Sequence, residues 1–325
     1  EKLGLDFNLV ASNTNEQGPP VGTNSGFRGS LIGNALQWNP THALYDSDGE
    51  PILVPDFGNF TNPVALIDAY NDETRTFDII ASIAPSYKIT DDLTYKFLYS
   101  VNSASGTRRS SIESFINLQG IEGLGIANVA NNRILSQILT HTLNYSTAIS
   151  SGVNLDAVVG YEYQNIDDQG FGVFGQNFIG NIDYTNSLQV SEQGTRGINS
   201  YANPIAELQS YFARANFSIQ DKYVLTATIR ADGSSKFGDN NKYGYFPAFA
   251  AAWNIHEEDF LSNGMFNSLR LRAGWGQTGN SSFPSGAAQE RYGLTGPGAA
   301  NLVNVANPDL RWETNTTTNI GVDFA

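Results

Sequence analysis

The 325-residue sequence contains no cysteine, which excludes disulfide staples, thiol nucleophiles and thiolate metal sites and leaves the compartment open. Histidine is nearly as scarce: His42, His141 and His256 lie in three separate segments, none with a partner at metal-ligand spacing. No run of about 18 apolar residues exists, so a transmembrane helix is excluded. Crossing by strands is not, because such strands carry only alternation and stay polar on average. Charged residues make up just 15%, low for a water-soluble domain of this size. Lys and Arg number 18 against 32 Asp and Glu, and the resulting charge of −14 repels phosphate backbones, arguing against nucleic acid. The lone methionine is Met265, the sequence begins at Glu1, and no signal peptide precedes it; a mature chain or an internal piece is expected.

What is plentiful is aromatic residues, 12% with 19 Phe and 15 Tyr, together with 32 glycines. That mixture favours strands and turns over helices. Period-two alternation then recurs along the chain. In "YVLTATIRA", Tyr223, Leu225, Ala227, Ile229 and Ala231 share one face, and Thr226, Thr228 and Arg230 the other. "SYFARANFSIQ" sets Tyr211, Ala213, Ala215, Phe217 and Ile219 against Arg214, Asn216, Ser218 and Gln220. Only Asp221 and Lys222 separate these two runs, which reads as a two-residue hairpin. The same pattern marks Leu93–Val101, Val153–Asn165 and Leu269–Gln277, with further candidates at Lys2–Val10, Thr76–Tyr87, Leu135–Thr147, Phe246–Asn254 and Arg311–Phe324.

The connections sort themselves by length. Short joins at Lys88–Asp92, Ala148–Gly152 and Asp221–Lys222 alternate with long polar ones at Ser12–Arg75, Asn102–Ile134, Ile166–Gln209, Asp232–Tyr245 and Thr278–Leu310. One more join, "IHEEDFLSNGMFNS", has room for a helical turn. A sandwich or propeller has no reason to segregate its loops in this way. An up-and-down barrel does, with short periplasmic turns and long extracellular loops. The expected fold is therefore all-β: part of an antiparallel up-and-down transmembrane β-barrel of about ten strands. The best runs match the roughly 9–11 residues that a tilted strand needs to cross the hydrocarbon. Tyr211 and Tyr223 flank one turn, while Tyr161 and Tyr163 lie near the far end of their strand, as two interfacial girdles would place them. Arg214, Arg230, Arg270 and Arg272 fall on polar faces, hence on the lumen side, where carboxylates would meet them.

Motifs for chemistry fail on context. "GWGQTG" at Gly274–Gly279 has the letters of a dinucleotide fingerprint, but "NSSFPSG" follows it and cannot start the helix that would hold a pyrophosphate. "YDSDGE" at Tyr45–Glu50 lacks the remainder of a calcium loop and reads as a turn. Paired carboxylates such as Glu257 and Glu258 have no apolar pocket to raise a pKa. No enzyme, cofactor or metal site is expected.

Three stretches carry a resemblance. "IRADGSSKFGDNNKYGYFPAFAAAWNI" supplies Asp232, Gly233, Ser234, Ser235, Phe237, Gly238, Tyr243, Gly244 and Pro247; "LRLRAGWGQTGN" supplies Gly276, Gln277, Thr278, Gly279 and Asn280; "NPDLRWETNTTTNIGVDF" supplies Asn307, Pro308, Leu310, Trp312, Glu313 and Thr314. In type and order these resemble the barrel region of the SusC/RagA-type TonB-linked outer-membrane transporters, most strongly over Leu208–Phe324. The resemblance implies a Gram-negative outer-membrane barrel of roughly 22 strands with an N-terminal plug. It also implies a SusD-like surface lipoprotein as partner, TonB acting through the plug, and oligosaccharide or peptide as cargo. The plug and TonB-contacting segment have no counterpart here, and the family continues past "NIGVDF". Residues 1–325 are thus expected to be one portion of a single barrel domain, folded against outer-membrane lipid. The competing expectation, from a different class, is a secreted or surface β-rich glycan-binding module. Asp232–Tyr245 is read as an extracellular loop, with Asp239–Asn241 tolerant of insertions.

Overall fold

The computed structural model describes residues 2–18, 30–53, 61–116, 123–178, 182–261 and 267–325; Glu1 and Met265 lie outside the described residues. Alternation becomes pairing in strands β1 (Leu3–Gln17), β2 (Tyr70–Lys88), β3 (Leu93–Ile112), β4 (Ile126–Ser150), β5 (Val153–Gln176), β6 (Gly197–Ala202) and β7 (Ala206–Ile219). It continues in β8 (Tyr223–Ser234), β9 (Tyr243–Asn254), β10 (Leu269–Asn280), β11 (Arg291–Gly296), β12 (Ala299–Asn304) and β13 (Glu313–Phe324). Two seven-residue helices, α1 (Leu31–Gln37) and α2 (Pro63–Ala69), sit between β1 and β2.

Ten strands form one antiparallel meander in the order β1-β2-β3-β4-β5-β7-β8-β9-β10-β13. These are the ten that alternation marks out. β6 continues the line of β7 along the same edge of β5, and β11 with β12 makes a separate hairpin. β1 and β13 are the edges of the meander and are not paired with each other among the described residues.

Register fixes two faces. Tyr223, Leu225, Ala227 and Ile229 of β8 stand opposite Ile219, Phe217, Ala215 and Ala213 of β7, and opposite Trp253, Ala251, Phe249 and Pro247 of β9. Leu271 and Trp275 of β10 extend the row, opposite Trp253 and Phe249. This face is apolar, yet Leu225, Phe249, Ile320 and many like them are exposed. The buried apolar residues form only small clusters, such as Ala65, Leu66, Ala69 and Ile116 around α2. A sheet that leaves its apolar face uncovered, with no central core among the described residues, needs a second apolar phase; lipid supplies one. The other face is polar and internally paired. Lys96 meets Asp6 at 3.5 Å, Arg272 meets Asp323 at 2.9 Å, and Arg214 donates to Asn216 at 3.2 Å.

Two expectations about length are corrected. β2 to β5 have 19, 20, 25 and 24 residues, well beyond a membrane crossing. Much of what reads as loop at Asn102–Ile134 and Ile166–Gln209 is paired strand. Above the bilayer both faces meet water, so the hydrophobic period vanishes while the hydrogen-bond ladder continues. The hairpin between β7 and β8 has three connecting residues rather than two, Gln220, Asp221 and Lys222, since Ile219 pairs with Tyr223. Gln220 and Asp221 take φ of 51° and 56°, and Lys222 N donates to Ile219 O at 3.0 Å, a turn whose twist suits the flanking strands.

At this turn end, Glu258 accepts hydrogen bonds from Tyr223 Oη at 2.6 Å, Trp253 Nε1 at 3.0 Å and Lys222 Nζ at 3.1 Å. The Tyr223 bond first, then those from Lys222 and Trp253, hold its carboxyl below the usual range. Tyr223 and Trp253 stack with centroids 6.2 Å apart, forming part of an interfacial girdle.

The face assignment is open to test in the full-length protein. Leu271→Arg puts a charge into lipid and is expected to cost roughly 2–4 kcal/mol near the midplane. Arg272→Leu only frees an exposed Asp323 and is expected to cost less than about 1 kcal/mol. Unfolding titrations in bilayers measure both, and equal losses would reverse the assignment.

Candidate functional site

The three motif stretches converge at the end of the barrel opposite the short turns. β8 runs through Asp232, Gly233 and Ser234 and then bends. Ser234 N donates to Lys242 O at 3.0 Å, while Ser235 bonds Glu207 N at 2.9 Å through Oγ and Glu207 O at 2.9 Å through its own N. The bend drives Phe237 inward, to 2% exposure. There its ring meets Trp312 at 4.3 Å and Phe283 at 5.1 Å, and Trp312 meets Phe246 at 5.4 Å.

Glycines make this packing possible. A Cβ on Gly244 would sit 2.5 Å from Phe246 and 2.9 Å from Trp312. One on Gly279 would collide with the Phe246 ring, and one on Gly238 with the carbonyl of Pro308. Instead Gly238 N donates to Leu310 O at 2.9 Å, Asn240 N to Pro308 O at 3.2 Å, and Trp312 Nε1 to Lys242 O at 3.0 Å. Asn307 closes its own turn by accepting from Leu310 N at 3.2 Å. Asn280 Nδ2 reaches Glu313 at 2.8 Å, and Gln277 Nε2 reaches Thr316 at 3.4 Å. Gly276, Thr278 and Gly279 pair in register with Thr317, Asn315 and Thr314. Pro247 lies just outside the β9–β10 ladder, which starts at Ala248, where a missing N–H is tolerated. Tyr243 lies over Gly233 and donates to Gln209 at 3.0 Å.

The motif is thus a clasp between neighbouring rim loops, and it corrects the expected insertion site. Asn240 and Asn241 are bound to Asp309 at 2.8 and 3.2 Å, so the middle of the Asp232–Tyr245 loop is held rather than free. "GWGQTG" lies wholly in β10, as strand. "YDSDGE" is a turn in which Asp46 Oδ1 accepts from Asp48 N and Glu50 N, both at 2.9 Å.

Two charged groups on the polar face join the picture. Arg230 binds Asp232 at 2.6 Å, Ser210 Oγ at 2.9 Å and Glu162 at 3.2 Å, and its guanidinium lies 5.7 Å from the Phe212 ring centre. Alternation points to Arg230, but not to Glu162, which lies two strands away. Sequence reading also misses Asp72. It is 9% exposed and receives Arg108 Nε at 2.9 Å and Nη2 at 2.5 Å, with Tyr70 Oη at 3.0 Å. The Arg108 hydrogen bonds outweigh burial and hold its carboxyl below the usual range. The pair is therefore intact at neutral pH and lost only as pH falls through that lowered value.

A family model described as TonB dependent receptor-like, beta-barrel, matches residues 6–325. The chain belongs to this family. Among relatives of the barrel, TonB-dependent receptor P3 of Formosa agariphila is 30% identical over 100% of this chain and 33% of its own length. TonB-dependent receptor SusC of Bacteroides thetaiotaomicron is 27% identical over 98% of this chain and 34% of its own. The chain spans about a third of the length of these curated relatives. A solved structure of the RagAB peptide transporter superposes with TM-score 0.85 at 20% identity, over 99% of this chain and 36% of that one. Likeness at that identity speaks for the fold.

If the rim is a clasp, Phe237→Ala in the full-length receptor is expected to lower stability by about 3–5 kcal/mol. Gly238→Ala is expected to push Pro308 away and open residues 307–310 to protease added outside intact cells. An unchanged cleavage pattern in Gly238→Ala would remove the clasp from the account.

Proposed function

We propose that this chain is barrel wall of a TonB-dependent transporter in a Gram-negative outer membrane. In this reading residues 1–325 are part of a single barrel domain, and the plug and the remaining strands come from the rest of the protein. The observation that carries the reading is the sorting of the sheet. Short turns lie at one end and structured extensions at the other, and an apolar face remains uncovered between them. A water-soluble glycan-binding module would bury that face. The two unpaired edge strands, together with relatives three times as long, support a larger closed barrel.

The activity proposed is passage rather than catalysis. A bulky nutrient, oligosaccharide or peptide, binds on the polar inner face and is released inward when TonB acts on the plug. A SusD-like surface lipoprotein is the proposed partner at the extracellular rim. Both cargo classes come from the resemblance of the three motif stretches to the SusC/RagA-type transporters.

Sidedness tests the reading, and residues 1–325 contribute no cysteine of their own to the labelling background. Ala299→Cys lies in the exposed β11–β12 hairpin and Asp91→Cys in the β2–β3 turn, each introduced singly into the full-length protein. A membrane-impermeant maleimide is expected to label position 299 on intact cells, and position 91 only after the outer membrane is broken. Equal labelling on intact cells would sink the transporter reading.

A further inference from the structure

Fixed positive charge on the lipid-facing side of the wall is confined to one place. Among the described residues of the ten-strand meander, the only Lys or Arg with the outward parity are Arg75 of β2, Arg109 of β3 and Arg133 of β4. They stand on three adjacent strands of a chain whose net charge is −14.

Their height is set by the rows beneath them. On β2 the outward positions from Tyr87 up to Phe77 are apolar or aromatic, and the next one is Arg75. On β4 the outward row runs from Tyr145 up to Leu135, interrupted by His141 and Gln137, and the next position is Arg133. At about 3.3 Å per residue and about 40° of tilt, each of these two rows rises roughly 25 Å, the height of the apolar band of an outer-membrane barrel. Arg75 and Arg133 thus stand where hydrocarbon ends and lipid headgroups begin. In register Arg75 is opposite Thr107 and Arg133 opposite Ser105, so two hydroxyls of β3 lie between the arginines. Strands about 4.8 Å apart put the two Cα atoms roughly 12 Å from each other, a gap that two Arg side chains can close on one phosphate.

The two faces treat their cations differently. On the inner face Lys96, Arg108, Arg230 and Arg272 each meet a carboxylate. On the outer face Arg75 is paired with Glu73 at 2.7 Å, yet 69% of its side chain is exposed. Arg109, one step above Thr107, donates to the neutral Asn186 Oδ1 at 2.6 Å. Arg133 is exposed, and no hydrogen bond or ion pair holds it among the described residues. Asp183 and Asp167 also border the patch. Asp183 is engaged by Thr185 and Asn186, and Asp167, opposite Leu135, makes no ion pair with Arg133.

We propose that Arg75 and Arg133, with Ser105 and Thr107 between them, hold a phosphate of an outer-leaflet lipid against the outside of the barrel wall. Arg presents a fork of N–H donors that matches two phosphate oxygens, and the hydroxyls donate to others. Acyl chains attached to a phosphate at this height run down the apolar row that contains Phe77, Ile79 and Leu135, so a single lipid meets both halves of the surface. A free anion has no such second contact. The inference rests on the barrel reading for the position of the bilayer, and it concerns the lipid side of the wall rather than the cargo side.

The test is native mass spectrometry of the detergent-purified full-length receptor, titrated with bis-phosphorylated lipid A or with the same lipid dephosphorylated. Wild type is expected to prefer the phosphorylated probe by about tenfold or more, and the double variant Arg75→Gln, Arg133→Gln to lose that preference. Lys88→Gln, which removes a charge at the turn end of β2, should keep it within about twofold. Heat-modifiable migration confirms that each variant is folded. Equal retention of both probes by wild type, a preference unmoved in the double variant, or displacement of the probe by an equal concentration of inorganic phosphate would overturn the proposal. Maleimide labelling at positions 299 and 91 separates the two readings. Labelling on opposite sides, with lipid retention unmoved by the double variant, removes the phosphate site and leaves the barrel standing.

Discussion

Everything in this structure depends on the pairing of backbone groups across neighbouring strands. Inside hydrocarbon an unpaired N–H or C=O costs several kcal/mol, so only a continuous ladder of strands is admissible in a sheet. The registers from β2 to β5 meet that demand over nearly their whole length, interrupted at Ala84–Pro85 and shifted between Ala148 and Ser150, and they persist past the point where lipid would require them. The ladder then serves another end. It carries rigid wall into the aqueous space, where a loop would otherwise have to hold its own shape. Side chains are released from core packing, which explains how an ordered chain can have so few buried apolar residues.

The two faces follow from two solvents. Lipid accepts Leu, Phe, Ala and Ile without any partner. The inner face must pair its charges, and does so with short cross-strand reaches such as Arg230 to Glu162 and Asp232. The rim is different again. Three stretches far apart in sequence supply Phe237, Phe246 and Trp312, and glycines allow the rings and backbones to meet. Conformational freedom is not the reason for Gly238 and Gly279: neither has positive φ, and each is small because another part of the chain occupies the space.

How legible this was depends on the solvent each residue meets. Where one face is lipid and the other water, period-two alternation is strong, and all ten meander strands could be read, with Leu225 and Thr226 as clear a pair as any. Above the membrane that contrast disappears. Residues 103–112 and 126–134 therefore read as loop although they are paired throughout. The motif residues could be named, but their roles could not, since nothing in "NPDLRWET" says that Leu310 accepts from Gly238. Asp72 and Arg108 are 36 residues apart and lie in a polar stretch, so only the register brings them together.

The rim clasp also bears on the order of assembly. Its hydrogen bond from Asn240 to Asp309 joins residues 69 positions apart, whereas each hairpin turn joins neighbours. Closing so long a loop carries an entropic cost that hairpins avoid. Nothing compensates for that cost until β9, β10 and β13 stand side by side. The clasp is thus a late contact, and an intact rim is a marker that this quarter of the wall has finished folding.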